Sequence, residues 1–132
     1  AAEELFRRAH RMQIDLYGIS GYRSYDRQAE ICRETQSAYV APPGCSEHQT
    51  GLALDVSCPD LNFELEESFA STKEGKFLEN YGPMYGFIIR YPKGKEKITG
   101  YAWEPWHIRY VTKTLALYLS LINLTLDEYH QL

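Results

Sequence analysis

The 132-residue sequence lacks several patterns that would point to particular protein classes. No run of Lys and Arg is longer than two residues and the net charge is −4, so the basic stripe of a nucleic-acid-binding protein is missing. No apolar run approaches the roughly 18 residues that cross a bilayer. There is also no internal repeat and no low-complexity linker. These absences disfavour nucleic-acid binding and a membrane span, and the length predicts one domain over residues 1–132.

Cysteine and histidine are both scarce. Cys32, Cys45 and Cys58 are widely spaced, whereas the cysteines of a zinc finger pair about two to four residues apart. The odd count permits at most one disulfide and leaves a thiol unpaired, so we expect three ordinary buried or half-buried residues. The His-Glu-x-x-His motif of many zinc proteases is absent. Of the four histidines, His10 and His130 are predicted to be solvated surface residues.

The hydrophobic periodicity predicts an α+β fold. Helices are predicted over Glu3–Leu16 (ended by Gly18), Tyr25–Thr35 (capped by Ser24), from a Ser71/Glu74 capping box to Tyr81, over Thr112–Leu121, and after a Thr125/Glu128 capping box. Strands are predicted over Ile19–Tyr22, Leu52–Val56, Phe87–Tyr91, Ile98–Trp103 and Trp106–Val111, with a loop over Ser37–Gln49. The late strands are joined by short turns, which favours a small antiparallel sheet flanked by helices.

His48 leads into an apolar strand that carries a single acidic side chain. Asp55 lies between Leu54 and Val56, so we expect it to be buried. A buried, unpaired carboxylate is costly, and a nearby cation or metal ion removes that cost. Gly51 allows the sharp backbone turn that would bring His48 and Asp55 together. The competing interpretation is an aspartate that caps a turn or pairs with an arginine.

A second chemically unusual segment is Trp103–His107. In a regular strand Glu104 and His107 would point to opposite faces, because side chains alternate. Pro105 lacks an N–H and restricts the residue before it, so a bulge there would bring the carboxylate and the imidazole to one side. The competing interpretation is a surface Glu-Pro turn followed by a core aromatic residue.

Two histidines and one aspartate together offer three ligands and leave a fourth position for water, as in catalytic zinc sites. We therefore expect His48, Asp55 and His107 to hold one Zn²⁺ per chain, since imidazole suits zinc better than calcium or magnesium. Zinc lowers the pKa of its bound water to about 7. Glu104 is not a ligand in this scheme, and it would take the proton as general base.

Several ordered motifs resemble one known family. They are Ser20-Gly21-Tyr22-Arg23-Ser24, Gln28, the block from Ser46 to Asp55, Tyr85 to Pro92, Ile98 to Tyr101, Glu104-Pro105-Trp106-His107, and Leu124 to Tyr129. They look like those of the VanY-type D-alanyl-D-alanine carboxypeptidases, which belong to a zinc superfamily with lysostaphin-like peptidases and the hedgehog signalling domain. The resemblance covers nearly the whole chain and implies a hedgehog/D,D-peptidase-like fold.

The resemblance implies the same ligands and base, and it adds four residues. Arg23 would contact the scissile carbonyl and stabilise the oxyanion, and a fixed cation near zinc suits a tetrahedral intermediate. A surface arginine at a strand end is the alternative. Gln28 and Ser46 resemble positions that bind the substrate's C-terminal carboxylate, and Trp106 would form a pocket wall.

By resemblance, the substrate is a peptidoglycan stem peptide or precursor that ends in D-Ala, with D,D-carboxypeptidase activity favoured. L,D-carboxypeptidase, D,D-dipeptidase and cross-bridge endopeptidase activities stay open. The competing class is a zinc-loaded binding module without turnover, which tends to lose its base or its arginine, whereas Glu104 and Arg23 are both present. We expect a monomer at the cell envelope, because the start without Met looks trimmed, or in the cytoplasm if it cleaves a precursor dipeptide.

Two positions depart from the family pattern. The stretch from Glu34 to Val40 is shorter than is usual, which predicts a reduced rim loop. Thr112 stands where a glycine is typical, at the start of a helix that we expect to be peripheral to the zinc.

Overall fold

The computed structural model of the protein describes residues 1–34, 41–42 and 44–132. The α-helices within these residues are α1 Ala2–Arg11, α2 Tyr25–Glu34, α3 Lys73–Tyr81, α4 Glu96–Thr99, α5 Lys113–Ile122 and α6 Leu126–His130. The strands are β1 Tyr17–Ser20, β2 Ala53–Ser57, β3 Phe87–Ile89 and β4 His107–Tyr110. Short 3₁₀ helices cover Glu47–Thr50, Pro59–Leu61, Glu67–Ser71 and Gly82–Tyr85. The predicted α+β class with a small antiparallel sheet and flanking helices is confirmed.

The sheet is antiparallel throughout, in the order β1-β2-β4-β3. In its centre Leu54 lies opposite Ile108, and Asp55 lies directly opposite His107. Because side chains alternate along a strand, Leu54 and Ile108 point to one face of the sheet, and Asp55 and His107 point to the opposite face, called here the polar face. Two residues from distant parts of the sequence thereby become cross-strand neighbours.

A hydrophobic core fixes the position of this sheet. Its buried members are Leu5, Ala9, Leu16, Val56, Cys58, Phe69, Phe77, Leu78, Phe87, Trp106 and Ile108. A second cluster joins Ile88 of β3 to Ala116 and Leu119 of α5 and Leu126 of α6. Each fully buried large apolar side chain stabilises the fold by about 1.5–3 kcal/mol. Helices from both ends of the chain therefore hold the strands that carry the polar face.

The first helix ends earlier than its periodicity predicts. Gln13 adopts a left-handed conformation with φ 59°, and the N–H of Ile14 donates to the carbonyl of Ala9 at 2.9 Å. This closing pattern is usually built around glycine, which is why the sequence points to Gly18 instead. Gly18 lies inside β1. The predicted end of the helix is therefore wrong.

Two other local predictions fail. Helix α3 is capped by Thr72, whose Oγ1 accepts from the N–H of Gly75 at 3.0 Å, and not by a Ser71/Glu74 box. The range Ile98–Trp103 is not a strand: helix α4 runs into it, and Gly100 ends that helix with φ 80°. A short apolar run does not by itself distinguish a strand from a turn of helix.

Other predictions agree with the structure. Thr125 and Glu128 form a reciprocal capping box at α6, and Ser24 accepts from the N–H of Arg27 at the start of α2. His10 and His130 are exposed. The predicted loop over Ser37–Gln49 and the shortened stretch up to Val40 fall in part on residues 35–40 and 43, which lie outside the described residues.

All three cysteines are free thiols, and Cys45 is exposed, contrary to the prediction that all would be at least half-buried. Across the described ranges, no helix combines the length and the apolar character needed to cross a membrane.

Candidate metal centre and active site

One cavity of about 200 Å³ gathers every residue that the sequence singles out for chemistry. Its lining includes Arg23, Gln28, Ser46, His48, Asp55, Glu104, Trp106 and His107. The cavity lies on the polar face of the sheet. Residues that are distant in sequence meet here because β2 and β4 are adjacent and the segment after β1 passes beside His48.

His48 is held from two sides. It lies in the 3₁₀ turn Glu47–Thr50, which Gly51 ends with φ 75°, so the sharp turn predicted from the glycine is present. Its Nδ1 lies 2.8 Å from the carbonyl oxygen of Gly21, and its Nε2 lies 3.1 Å from Oδ2 of Asp55. The carbonyl can only accept, so Nδ1 carries a proton, and Nε2 is the nitrogen that faces Asp55 and the cavity.

His107 meets the other oxygen of the same aspartate. Its Nδ1 lies 3.0 Å from Oδ1 of Asp55. Ligand atoms of His48, Asp55 and His107 all lie within 4.8 Å of one another, and the three residues are buried. Two imidazole nitrogens and a carboxylate oxygen in a buried cluster are a donor set that suits a transition metal, and this group could hold a metal ion.

The charges in the cluster favour a cation. Burial alone would raise the pKa of Asp55, but hydrogen bonds to His107 and His48 outweigh burial and lower it to about 2. Burial would lower the pKa of His107, but the carboxylates of Asp55 and Glu47 outweigh burial and raise it to about 9. The cluster thus stabilises one added positive charge, which a proton or a metal ion can supply.

Glu104 comes to the same cavity through a tight turn. The N–H of His107 donates to the carbonyl of Glu104 at 3.1 Å, with Pro105 as the second residue of the turn, where proline is favoured. The break at Pro105 is as predicted, but it is a turn that precedes β4 and not a bulge within a strand. Burial, aided by the charges of Asp55 and Glu47, outweighs the effect of His107 and Arg23 and raises the pKa of Glu104 to about 7.

Arg23 is positioned by its neighbours. Its guanidinium donates to Oε1 of Gln28 at 2.8 Å and to Oγ of Ser20 at 2.8 Å. Its backbone N–H donates to the carbonyl of His48 at 2.8 Å. Gln28 is itself buried, and its Nε2 donates to the carbonyl of Ala41 at 2.6 Å. The described contacts of Gln28 therefore orient the arginine.

Ser46 and Trp106 occupy the cavity wall in different ways. Ser46 caps the 3₁₀ turn, and its Oγ accepts from the N–H of His48 at 3.3 Å. Trp106 lines the cavity and also belongs to the hydrophobic core. Both are buried, so each shapes the cavity and the elements beneath it.

Sequence reasoning missed residues that surround His107. Glu47 contacts its Nε2 at 3.1 Å, and the ring of Tyr91 lies 5.0 Å away, centroid to centroid, with Tyr101 packed on Tyr91. Arg109 also belongs to this group, because its Nη1 donates to Oε2 of Glu47 at 2.6 Å. The sequence carried a signal for it: Arg109 follows His107 by two positions in a strand, so both side chains point to the same face. Glu47 gave no such signal, because its partners are distant in sequence.

Comparison with known proteins identifies the family. Residues 1–113 match the VanY family model, described as D-alanyl-D-alanine carboxypeptidase. The putative carboxypeptidase YodJ of Bacillus subtilis is 48% identical over 140 residues, which cover 99% of this chain and 51% of YodJ. The D-alanyl-D-alanine carboxypeptidase of Enterococcus faecium is 41% identical over 110 residues, covering 83% of this chain and 34% of that protein. The chain therefore spans about half or less of these relatives.

Solved structures share the fold. The LD-carboxypeptidase LdcB, whose structure is described in terms of peptidoglycan recognition, aligns with a TM-score of 0.90 and 46% identity over 98% of this chain and 64% of LdcB. VanYB in complex with D-alanine-D-alanine aligns with a TM-score of 0.81 and 31% identity, over 98% and 78% of the two chains. A mutant of the D,D-pentapeptidase VanY in complex with Zn(II) aligns with a TM-score of 0.79 and 33% identity, over 97% of this chain and 78% of that chain. The family match over most of the chain, on a fold shared with carboxypeptidases, shows that this chain belongs to the VanY family of D-alanyl-D-alanine carboxypeptidases.

Proposed function

We propose that this domain is a zinc-dependent carboxypeptidase that removes the C-terminal D-alanine from peptidoglycan stem peptides, with the D,D bond favoured. The observation that carries the proposal is the buried cluster of His48, Asp55 and His107 in one cavity with Glu104 and Arg23. Relatives on the same fold include structures in complex with Zn(II) and with D-alanine-D-alanine, which supports both the metal and the substrate class.

The three clustered residues would hold one Zn²⁺ through Nε2 of His48, a carboxylate oxygen of Asp55 and Nδ1 of His107. When bound, zinc supplies a Lewis acid that activates a water molecule for attack on the peptide carbonyl. Glu104 accepts the proton of that water and passes it to the leaving amine. A carboxyl group with a pKa of about 7 suits both steps, because it can gain and lose a proton near neutral pH.

Arg23 supplies the positive charge for the oxyanion. Gln28 and Ser20 fix its guanidinium, so the charge is in place before the substrate arrives. Such preorganised charge stabilises a transition state more than a mobile side chain does. The second N–H of the Gln28 amide and the hydroxyl of Ser46 are donors for the substrate's C-terminal carboxylate, and Trp106 forms the wall beside it.

A second candidate is L,D-carboxypeptidase activity on tetrapeptide stems. The observation in its favour is that LdcB, an LD-carboxypeptidase, is 46% identical to this chain, whereas VanYB is 31% identical. A relative from Enterococcus gallinarum combines D-Ala-D-Ala dipeptidase and carboxypeptidase activities, at 36% identity over 93% of this chain and 70% of its own length. A stem-peptide substrate would place the protein at the cell envelope, and a precursor dipeptide in the cytoplasm.

The test is a direct assay of bond preference. Purified protein is incubated with tripeptide, tetrapeptide and pentapeptide stems and with the D-Ala-D-Ala dipeptide, with and without a chelator, and the products are identified by mass spectrometry. We expect loss of one D-alanine from the pentapeptide, abolished by the chelator and restored by zinc. Cleavage of the tetrapeptide alone would replace the D,D assignment by the L,D one. Stoichiometric zinc with no cleavage of any substrate would favour a binding module.

A further inference from the structure

Each imidazole in the metal cluster has two nitrogens, and only one of them can face a metal ion. A histidine ligand usually donates its other ring N–H to an acceptor, and that hydrogen bond sets which nitrogen keeps its lone pair. For His48 the acceptor is the carbonyl of Gly21 at 2.8 Å. For His107 the group in this position is the carboxylate of Glu47, whose Oε1 lies 3.1 Å from Nε2.

Glu47 is rigidly held. It is nine-tenths buried in the turn beside His48, and its Oε2 accepts from Nε of Arg90 at 2.7 Å and from Nη1 of Arg109 at 2.6 Å. Both of its oxygens are therefore engaged. Glu47 is placed to orient His107, whereas Glu104 is the carboxylate placed for chemistry.

The contacts continue to the end of the chain. Arg90 also pairs with both carboxylate oxygens of Asp127 in α6. Helix α6 is fixed by its capping box and by a 2.9 Å ion pair between Lys95 and Glu128. The family match covers residues 1–113, so Asp127 lies beyond the matched region.

We propose that Glu47 is a positioning residue for the metal ligand His107, and that Asp127 of the last helix holds Glu47 in place through Arg90. The inference rests on the proposed function, because it requires that His107 binds the metal through Nδ1. Under it, the C-terminal helix is part of the metal centre and not only a cover for the second hydrophobic cluster.

Glu47→Gln tests the first link. A glutamine has one acceptor oxygen, and the two arginines will claim it, since they have only N–H groups to offer. The amide NH₂ then faces Nε2 of His107, which must accept, so the ring proton moves to Nδ1 and blocks the metal-facing lone pair. We expect zinc affinity, measured by competition with a chelator, to fall by about 10–100-fold. The imidazole N–H signal of His107 in the ¹H–¹⁵N spectrum of the zinc-loaded protein should shift or disappear.

Asp127→Asn tests the second link in a less buried place, with Glu128→Gln as its matched control on the same helix. We expect Asp127→Asn to weaken zinc binding by up to about tenfold, the lower end of the range for partners of a metal ligand, because Asp127 acts on Glu47 only through Arg90. Glu128→Gln should leave affinity unchanged, because Lys95 is not linked to Glu47 by any described contact and a glutamine keeps the capping box. The double variant Glu47→Gln with Asp127→Asn should be no weaker than Glu47→Gln alone, since both act through one contact chain.

Three results would overturn the inference, each in a distinguishable way. If His107→Ala abolishes zinc binding while Glu47→Gln changes neither the affinity nor the imidazole signal, positioning by Glu47 is wrong and the proposed function stands. If His107→Ala binds zinc as tightly as the wild-type protein, the ligand assignment fails, and the positioning role fails with it. A loss of affinity in Glu128→Gln equal to that in Asp127→Asn would mean that α6 acts only through general stability.

Discussion

Two turns of the chain each bring a buried glutamate to the same cavity, and the two environments shift the pKa values of these glutamates in opposite directions. In the turn Glu47–Thr50, hydrogen bonds from His107 and the charge of Arg90 outweigh burial and lower the pKa of Glu47 to about 2. In the turn that begins at Glu104, burial and nearby carboxylates raise the pKa to about 7. When the environments of two carboxyl groups push their pKa values apart in this way, one group stays ionised and the other can exchange a proton near neutral pH.

The difference follows from the partners that each turn meets. Glu47 forms ion pairs with Arg90, which follows β3, and with Arg109 of β4, so its negative charge is compensated. The carboxylate of Glu104 has no such ion pair among the described residues, and the charges of His107 and Arg23 act on it without an ion-pair contact. A glutamate that is buried without a close cation is destabilising in its charged form and available for proton transfer.

The largest expected effect is a loss of catalytic rate when Glu104 is replaced. Glu104→Ala should lower kcat by about 10²–10⁴-fold while zinc binding is kept, because the proposed general base is lost and the proposed ligands remain. His107→Ala should lose both. Turnover on a stem peptide and zinc content after dialysis measure the two properties independently. Retained hydrolysis in purified Glu104→Ala would falsify the role of Glu104 as base.

The next effect is a pH-dependent change in the free energy of unfolding, of opposite sign for Glu104 and Glu47. In the folded protein the pKa of Glu104 lies above its ordinary 4.5, so its charged form costs free energy, and the free energy of unfolding falls as pH rises towards and through 7. Glu104→Gln removes that cost. In the metal-free protein we expect this variant to be more stable than wild type by on the order of 2–3 kcal/mol at pH 8, and by much less at pH 5. Urea unfolding at the two pH values measures the difference.

The opposite sign is expected for the matched change in the other turn. The pKa of Glu47 is depressed, so its charge stabilises the fold above pH 4.5, and that contribution is lost as pH falls towards 2. At pH 7 Glu47→Gln should destabilise the protein by about 1.5–3 kcal/mol, because Arg109 loses its carboxylate partner and Arg90 keeps only Asp127. Equal effects of the two substitutions would contradict the contrast between the turns.

The smallest effect is expected at a strained turn outside the cavity. Thr112 caps α5 with φ 86°, a conformation that β-branched residues rarely adopt, at the position where the family pattern has glycine. Thr112→Gly should raise the free energy of unfolding by about 1 kcal/mol, since released strain exceeds the loss of the cap. The urea midpoint should rise with turnover unchanged. A fall in stability would show that the Thr112 cap outweighs the strain.

Much of the site could be read from residue types and their spacing. An aspartate between Leu54 and Val56 predicted a buried carboxylate, and Gly51 predicted the turn that brings His48 to it. Pro105 predicted the break that turns Glu104 and His107 to one side. Such signals are local, because they depend on the strand period and on the backbone limits of glycine and proline.

Local signals also produced the errors. Gln13 took the left-handed position that normally marks glycine, and the apolar range Ile98–Trp103 did not pair with the sheet. Intrinsic propensity is a weak guide at such positions, because tertiary context overrides it. The neighbours that a turn or a short apolar segment meets depend on the rest of the fold.

The sequence by itself determined which histidines and aspartate could form a metal centre and which glutamate could act beside them, because donor chemistry belongs to the residue type. Only the tertiary structure decided how they are used. Which nitrogen of His107 faces Asp55, and why the pKa of Glu47 is lowered while that of Glu104 is raised, follow from contacts made in the fold, among them those of Arg90, Arg109 and Asp127. These partners lie 37 to 62 residues from the groups they contact, and only the folded sheet and its last helix bring them within hydrogen-bond distance.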